Sequence, residues 1–238
     1  VTDSDPAQLG TILGVWAHPD DEAYLSAGIM AAAVDAGNRV VCVTATRGEL
    51  GSLDEDRWPL DTLASVREKE LEACLAVLGV REHIWLDYPD GGCADVPADE
   101  AVGRLVEIMR DVQPDTVLTF GPEGMTWHVD HIAVCEWTTA AYQEAGANGA
   151  RLLYATHTPE WGEAFLAAIN ADQVMMTDQA PPTTPADDLA LYIQWQGTAL
   201  DRKYEALRCQ HSQVDPFVDS IGEDWYRAFL GEEAFRLP

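Results

Sequence analysis

Short runs of Val, Ile, Leu and Thr alternate along this chain with longer stretches whose apolar residues recur at helical spacing. No other feature constrains the fold as much, because strand–helix–strand units build a parallel sheet covered by helices. The first apolar run is TILGVWA, Thr11 to Ala17, and a helix is predicted from about Asp21 to Ala36, closed by Gly37. RVVCVTAT (Arg39 to Thr46) reads as the second strand, and RGELGSLDEDRWPLD as a loop. Leu63, Val66, Leu71, Leu75 and Leu78 fit a helix from about Thr62 to Leu78, ended by Gly79. HIWLDY, DTVLTF and RLLYATHT read as strands three to five, with helices at about Ala98 to Val112 and from near His128. Beyond them the pattern predicts a helix near Glu160 to Ile169, a strand QVMMT (Gln173 to Thr177) and one long helix from about Asp188 to Gln210. The expected architecture is a single α/β domain over residues 1–238, a Rossmann-like open, mostly parallel sheet with helices on both faces.

In such sheets ligands bind beyond the carboxyl ends of the strands. The first strand is followed by HPDDE, the second by TRGELG, the third by PDGG and the fourth by GPEGMTWHVDH. Ionisable residues thus gather at strand ends rather than strand starts, around one crevice.

Composition narrows the partners. Apolar residues make up 47% and charged residues 23%, which reads as soluble and globular. No run nears the roughly 18 consecutive apolar residues of a membrane-spanning helix, and the N-terminal residues carry no signal-peptide pattern. The chain has 41 acidic and 14 basic residues, a net charge of −27, which repels nucleic acid and anionic membranes. Such self-repulsion is relieved in concentrated salt, where the screening length shrinks to about 3 Å at 1 M, so a high-salt source is expected; codon bias toward Arg and Ala is the alternative. The five cysteines are scattered without a C-x-x-C pair, fitting small core residues in a reducing cytoplasm.

HPDDE (His18 to Glu22) packs one imidazole and three carboxylates into five residues, and like charges that close repel unless a cation sits among them. The acids alone read better as caps of the following helix; His18 directly before them favours a metal. In HVDH, His128 and His131 are three apart and face one side of a helix. Two such histidines are a weak signal alone. Together the segments supply the three protein ligands and open position of a catalytic zinc.

These motifs resemble the LmbE/PIG-L-like zinc N-deacetylases. The resemblance rests on AHPDDE, TRGELG, the R-x-x-E of Arg67 and Glu70, and HVDH, with a weaker C-terminal echo in Lys203, Ala206, Leu207 and His211 to Gln213. It implies that His18, Asp21 and His131 bind Zn²⁺ (other divalent cations being possible), that Asp20 is the general base, that His128 assists the oxyanion or proton transfer, and that Asp130 orients a histidine. It also implies substrate contacts from Arg67 and Asp90, although each also suits an ordinary salt bridge. Trp127 suits stacking on a sugar or packing on the sheet. Some relatives have a tyrosine two residues before the first histidine of H-x-D-H, where this chain has Thr126. His157 follows the fifth strand but lacks partners at ligand spacing.

The implied activity is removal of the N-acetyl group from an N-acetylglucosamine-type sugar or small soluble conjugate, with no nucleic-acid or membrane partner; a homo-oligomer is compatible. The alternatives are a zinc amidase for a non-sugar amide and a non-catalytic nucleotide- or metal-binding domain. No G-x-G-x-x-G or G-K-[ST] loop supports nucleotide binding.

Overall fold

The computed structural model describes residues 5–146, 149–168 and 174–238. In chain order the elements are β1 (Ile12–Trp16), α1 (Asp21–Asp35), β2 (Val40–Thr44), α2 (Leu60–Leu78), β3 (Glu82–Trp85), α3 (Ala98–Val112), β4 (Thr116–Phe120), the short α4 (Gly124–Trp127), α5 (Val129–Ala145), β5 (Arg151–Thr156), α6 (Pro159–Ala168), β6 (Leu189–Gln194), α7 (Gly197–Arg208), α8 (His211–Ile221), α9 (Glu223–Phe229) and β7 (Glu232–Arg236). The strands form one sheet in the order β3-β2-β1-β4-β5-β7-β6. The first five are parallel, and β7 runs antiparallel to both β5 and β6.

β1, β2 and β4 are buried along their whole length, as strands covered on both faces must be, and this is why they read as unbroken apolar runs. Trp16 meets Phe120 edge-on, with centroids 5.2 Å apart, at the junction of β1 and β4. The chain steps from β1 outward to β3 and then returns to β4. Right-handed crossovers therefore put the helices of the two halves on opposite faces, and the direction reverses between β1 and β4.

The predicted helix from Asp188 to Gln210 is two elements, β6 and α7. Leu189 and Leu191 are buried while Ala190 and Tyr192 are only half-buried, a two-residue period that fits a strand. Its partner β7 was not expected, because the sequence EEAFR reads as surface. QVMMT is not a strand over its described residues: Val174 to Thr177 form turns and bends, and Gln173 lies outside the described residues, as does Ile169 at the end of the expected sixth helix.

Glu233 of β7 explains its own disguise. It accepts from the backbone N–H groups of Gly28 (2.8 Å) and Ile29 (2.9 Å) in α1. Lys203 of α7 donates to Glu233 (2.8 Å) and to the Tyr24 carbonyl (2.8 Å). Both charged side chains are fully buried, so the pair ties α7 and β7 to the helix that begins in the HPDD loop. Trp195 packs so closely on Gly28 that a Cβ there would collide with the indole.

Candidate active site

The sheet reversal between β1 and β4 opens a crevice at their carboxyl ends. The loop after β1 delivers His18, Asp20 and Asp21; the segment after β4 delivers His128, Asp130 and His131. His18 Nδ1 lies 3.1 Å from His131 Nε2 and 3.6 Å from the Asp21 carboxylate. His131 Nε2 lies 3.4 Å from Asp21. A tetrahedral zinc with bonds of about 2.0–2.1 Å separates its ligand atoms by about 3.3 Å; His18 Nδ1 and His131 Nε2 stand near that spacing, and Asp21 turns Oδ2 toward the first and Oδ1 toward the second.

The remaining atoms of the trio are committed. His18 Nε2 faces Asp90 (3.1 Å) and Asp130 (3.2 Å). Asp130 is fixed in turn by the N–H groups of Gly91 (2.7 Å) and Cys93 (3.0 Å). His131 Nδ1 donates to the Gly124 carbonyl (2.8 Å), and its ring stacks on Phe120. Carboxylate–imidazole and carbonyl–imidazole contacts of this kind fix the tautomer and present the opposite lone pair to a metal. Two imidazole lone pairs facing each other at this distance need a proton or a cation between them. Two other groupings share His18, one with His128 and His131, the other with Asp90 and Asp130. In these groupings His128 Nδ1 accepts from the Asp130 N–H and Asp90 and Asp130 accept from backbone, as Asp21 does from the His18 N–H (2.8 Å).

Electrostatics follow the geometry. Burial opposes a charged His18, yet Asp130, Asp21 and Asp90 raise its pKa well above the usual value. Burial and the neighbouring imidazoles push His131 down to about 4 despite Asp21. Burial works against ionised Asp21, but the two histidines hold its pKa below the usual carboxylate range.

Asp20 stands apart from the trio. Its φ of 111° is a strained conformation for a residue with a side chain. Arg67 donates to Asp20 (3.3 Å), to the Pro19 carbonyl and to the Gly48 carbonyl (3.0 Å). Burial pushes Asp20 up to about 7 against the pull of Arg67, with Asp21 adding to the rise, which is the range a general base needs near neutral pH.

His128 caps α5, its Nδ1 accepting the Asp130 N–H (3.2 Å). A neutral ring that accepts at Nδ1 carries its proton on Nε2. Burial first, then the charge of His18, lowers its pKa, so this ring can donate a hydrogen bond without being cationic.

These residues line a cavity of about 440 Å³ that also contacts Arg67, Asp90 and Thr126. Every predicted site residue except Asp130 lines it, and Asp130 lies directly behind His18. Arg67 spends its guanidinium on protein oxygens, and Asp90 divides its carboxylate between His18 and the Leu50 N–H (2.8 Å). Glu49 holds the Asp90 backbone N–H (3.0 Å) and so shapes that loop. Trp127 packs against the Phe165 and Met175 cluster. His211 is exposed and pairs with Asp215. The C-terminal echo is structural where it is buried: Glu70 accepts from the Ser212 N–H (2.8 Å) and hydroxyl (2.6 Å), joining R-x-x-E to H-S-Q. The sequence reading missed the aromatic part of the cavity wall, which comes from α6, α8 and α9; only the density of Trp and Phe after residue 160 hinted at it.

An open-sheet crevice holding two imidazoles and a carboxylate beside a spare carboxylate defines the class of metal-assisted hydrolases. Residues 13–142 match the family described as PIG-L: GlcNAc-PI de-N-acetylase, and the chain belongs to that family, an N-deacetylase that hydrolyses an amide C–N bond. A 1D-myo-inositol 2-acetamido-2-deoxy-alpha-D-glucopyranoside deacetylase of Saccharomonospora viridis is 31% identical over 90% of this chain and 87% of its own length. One of the same description from Kineococcus radiotolerans is 34% identical over 62% of this chain and 51% of its own length. Among solved structures, N,N'-diacetylchitobiose deacetylase from Pyrococcus horikoshii shares the fold with a TM-score of 0.65 and 22% identity, over 98% of this chain and 86% of that one.

Proposed function

We propose that the chain removes the acetyl group from the nitrogen of an N-acetylglucosamine-type sugar conjugate, with Zn²⁺ held by His18 Nδ1, the Asp21 carboxylate and His131 Nε2. The observation that carries this reading is the convergence of those three groups at 3.1–3.6 Å while their remaining polar atoms are engaged elsewhere. The relatives' descriptions, all N-acetylated glucosamine compounds, support the sugar. A zinc ion in this position lowers the pKa of water toward about 7 and polarises a carbonyl oxygen.

The chain's own residues supply the rest. Asp20 takes the proton of the attacking water as the oxygen bonds to the amide carbon. His128 donates from Nε2 to the oxygen that becomes negative. Asp20 then returns its proton to the departing nitrogen as the C–N bond breaks, leaving acetate and a free amine. Asp130 and Asp90 hold His18, and Arg67 positions Asp20 and favours its ionised form. Thr126 stands where some relatives carry a tyrosine, so no phenol is needed at that position in this scheme.

Acetate release from a panel of N-acetyl sugars, by the zinc-loaded chain and by Asp20→Asn, tests the reading. Turnover lost in the variant while zinc remains near one per chain is the expected result; unchanged turnover rejects Asp20 as the base, and metal-free protein of full activity rejects the whole scheme. The surrounding medium belongs to the same proposal: a net charge of −27 and five unpaired thiols suit a salt-rich, reducing compartment.

A further inference from the structure

The cavity is lined by two kinds of side chain. Besides His18, Asp20 and their polar neighbours, its wall includes Trp161, Phe165, Met175, Phe217, Phe229 and Leu230. Phe165 and Met175 form the centre of a second apolar cluster, separate from the main core, against which Trp161, Phe217 and Phe229 pack.

This wall is not built to hold a polyol. Trp161 is held among rings: His157 stacks on it at 3.4 Å and 8°, and Phe165 (5.0 Å) and Phe229 (4.7 Å) pack beside it. Its indole N–H is committed to the Phe229 carbonyl (3.1 Å). Glu232, the nearby carboxylate, accepts from the Thr158 N–H (2.8 Å) and hydroxyl (2.7 Å) and from the Tyr192 hydroxyl (3.3 Å), while His157 Nδ1, 3.7 Å from it, is the one polar atom of this group left without a hydrogen bond. Hydroxyl groups placed there would leave water and find few partners, whereas hydrocarbon gains by burial.

The rim continues the trend. Leu50, Leu53 and Met176 line the cavity yet are 64%, 56% and 58% exposed. Clustered exposed apolar side chains mark a surface that a ligand covers. The chain's net charge of −27 disfavours an anionic occupant.

We propose that the substrate is an N-acyl amino sugar bearing an uncharged apolar substituent, alkyl or aryl, which occupies the space between Trp161, Phe217 and Phe229 while the amide sits at Asp20 and His128. This rests on the N-deacetylase reading above and narrows it from small sugars to amphipathic conjugates. The substituent can be carried on the anomeric oxygen or on the nitrogen as a longer acyl chain, and the two arms of one experiment separate these.

In the first arm kcat/KM for amine release is compared across the methyl, butyl and hexyl glycosides of N-acetylglucosamine. In the second arm the N-acetyl, N-butanoyl and N-hexanoyl amides of methyl glucosaminide are compared. Burial of each methylene is expected to raise kcat/KM about three- to fourfold, giving at least a tenfold rise across one arm. Phe229→Ala should flatten that rise, with a melting curve confirming that the variant folds. As a measurement on the unaltered chain, the hexyl glucosaminide product should bind more tightly than the methyl one and with a more negative heat-capacity change. Ratios within twofold in both arms, with the methyl glycoside still hydrolysed and both products bound equally, overturn the apolar subsite and leave the deacetylase reading intact. Failure to hydrolyse any N-acyl sugar overturns both.

Discussion

His18 Nδ1 and His131 Nε2 face each other at 3.1 Å although 113 residues separate them in sequence. The Asp21 carboxylate lies beside both, 3.6 Å from the first and 3.4 Å from the second, and the opposite nitrogen of each ring carries the anchoring contacts, His18 to Asp90 and Asp130, His131 to Gly124. A cation between the two nitrogens would complete the arrangement proposed above.

Asp130→Asn keeps the shape of the anchor but removes its charge. Loss of such an outer partner typically weakens metal binding about 10- to 100-fold. Competition with a chelator of known affinity measures this, and unchanged affinity would show that His18 is oriented without Asp130.

Activity should depend on pH through Asp20. Its working form is ionised, so kcat/KM falls as pH drops through its pKa, which burial raises and Arg67 restrains. Arg67→Met removes the restraint, and the acid limb of the profile then moves to higher pH; Arg67→Lys brings most of it back. A limb that stays in place in both variants detaches Arg67 from the base.

His128 is predicted to act as a neutral donor. His128→Ala should lower kcat about 10²–10³-fold, the usual cost of losing one oxyanion donor, with KM little changed. A large KM effect at constant kcat would instead make His128 a ground-state binding group.

Lys203→Met leaves Glu233 buried without its cation. Breaking one side of a buried pair costs about 3–5 kcal/mol, read as a lower urea midpoint, and Lys203→Met combined with Glu233→Gln should recover part of it. A single variant within about 1 kcal/mol of the parent would mean that Glu233 is satisfied by the Gly28 and Ile29 N–H groups alone.

Melting temperature should climb with KCl. Raising ionic strength from 0.1 M to 1 M shortens the screening length from about 10 Å to about 3 Å, which relieves repulsion within a chain of net charge −27. A melting point independent of salt would remove the high-salt interpretation.

The half of the fold around the site was legible because its strands are buried on both faces and its helices end in recognisable residues; α2, for instance, closes with Gly79 at φ 80°. The C-terminal part was not. β7 carries two glutamates because one, Glu233, serves α1 and Lys203 from inside the protein, and a buried ion pair looks like surface in sequence. β6 joined a helical stretch in the sequence reading because the break before α7 lies in the Gln196–Gly197 backbone, where Gly197 takes φ 56°. Of the site, the HPDD and HVDH residues announced themselves by position after β1 and β4. The contact of Asp90 with His18 did not, since a loop after the third strand gives no sign of which imidazole it will reach.

The sheet reversal has a mechanical consequence. The proposed ligands on its two sides belong to segments that leave β1 and β4 toward opposite faces, so an ion shared by positions 18 and 131 would act as a clasp across the seam of the domain, closing a ring of more than a hundred residues much as a covalent staple would. Stripping that clasp should let both loops breathe together, and amide exchange would quicken at the start of α1 and of α5 in step rather than at either one alone.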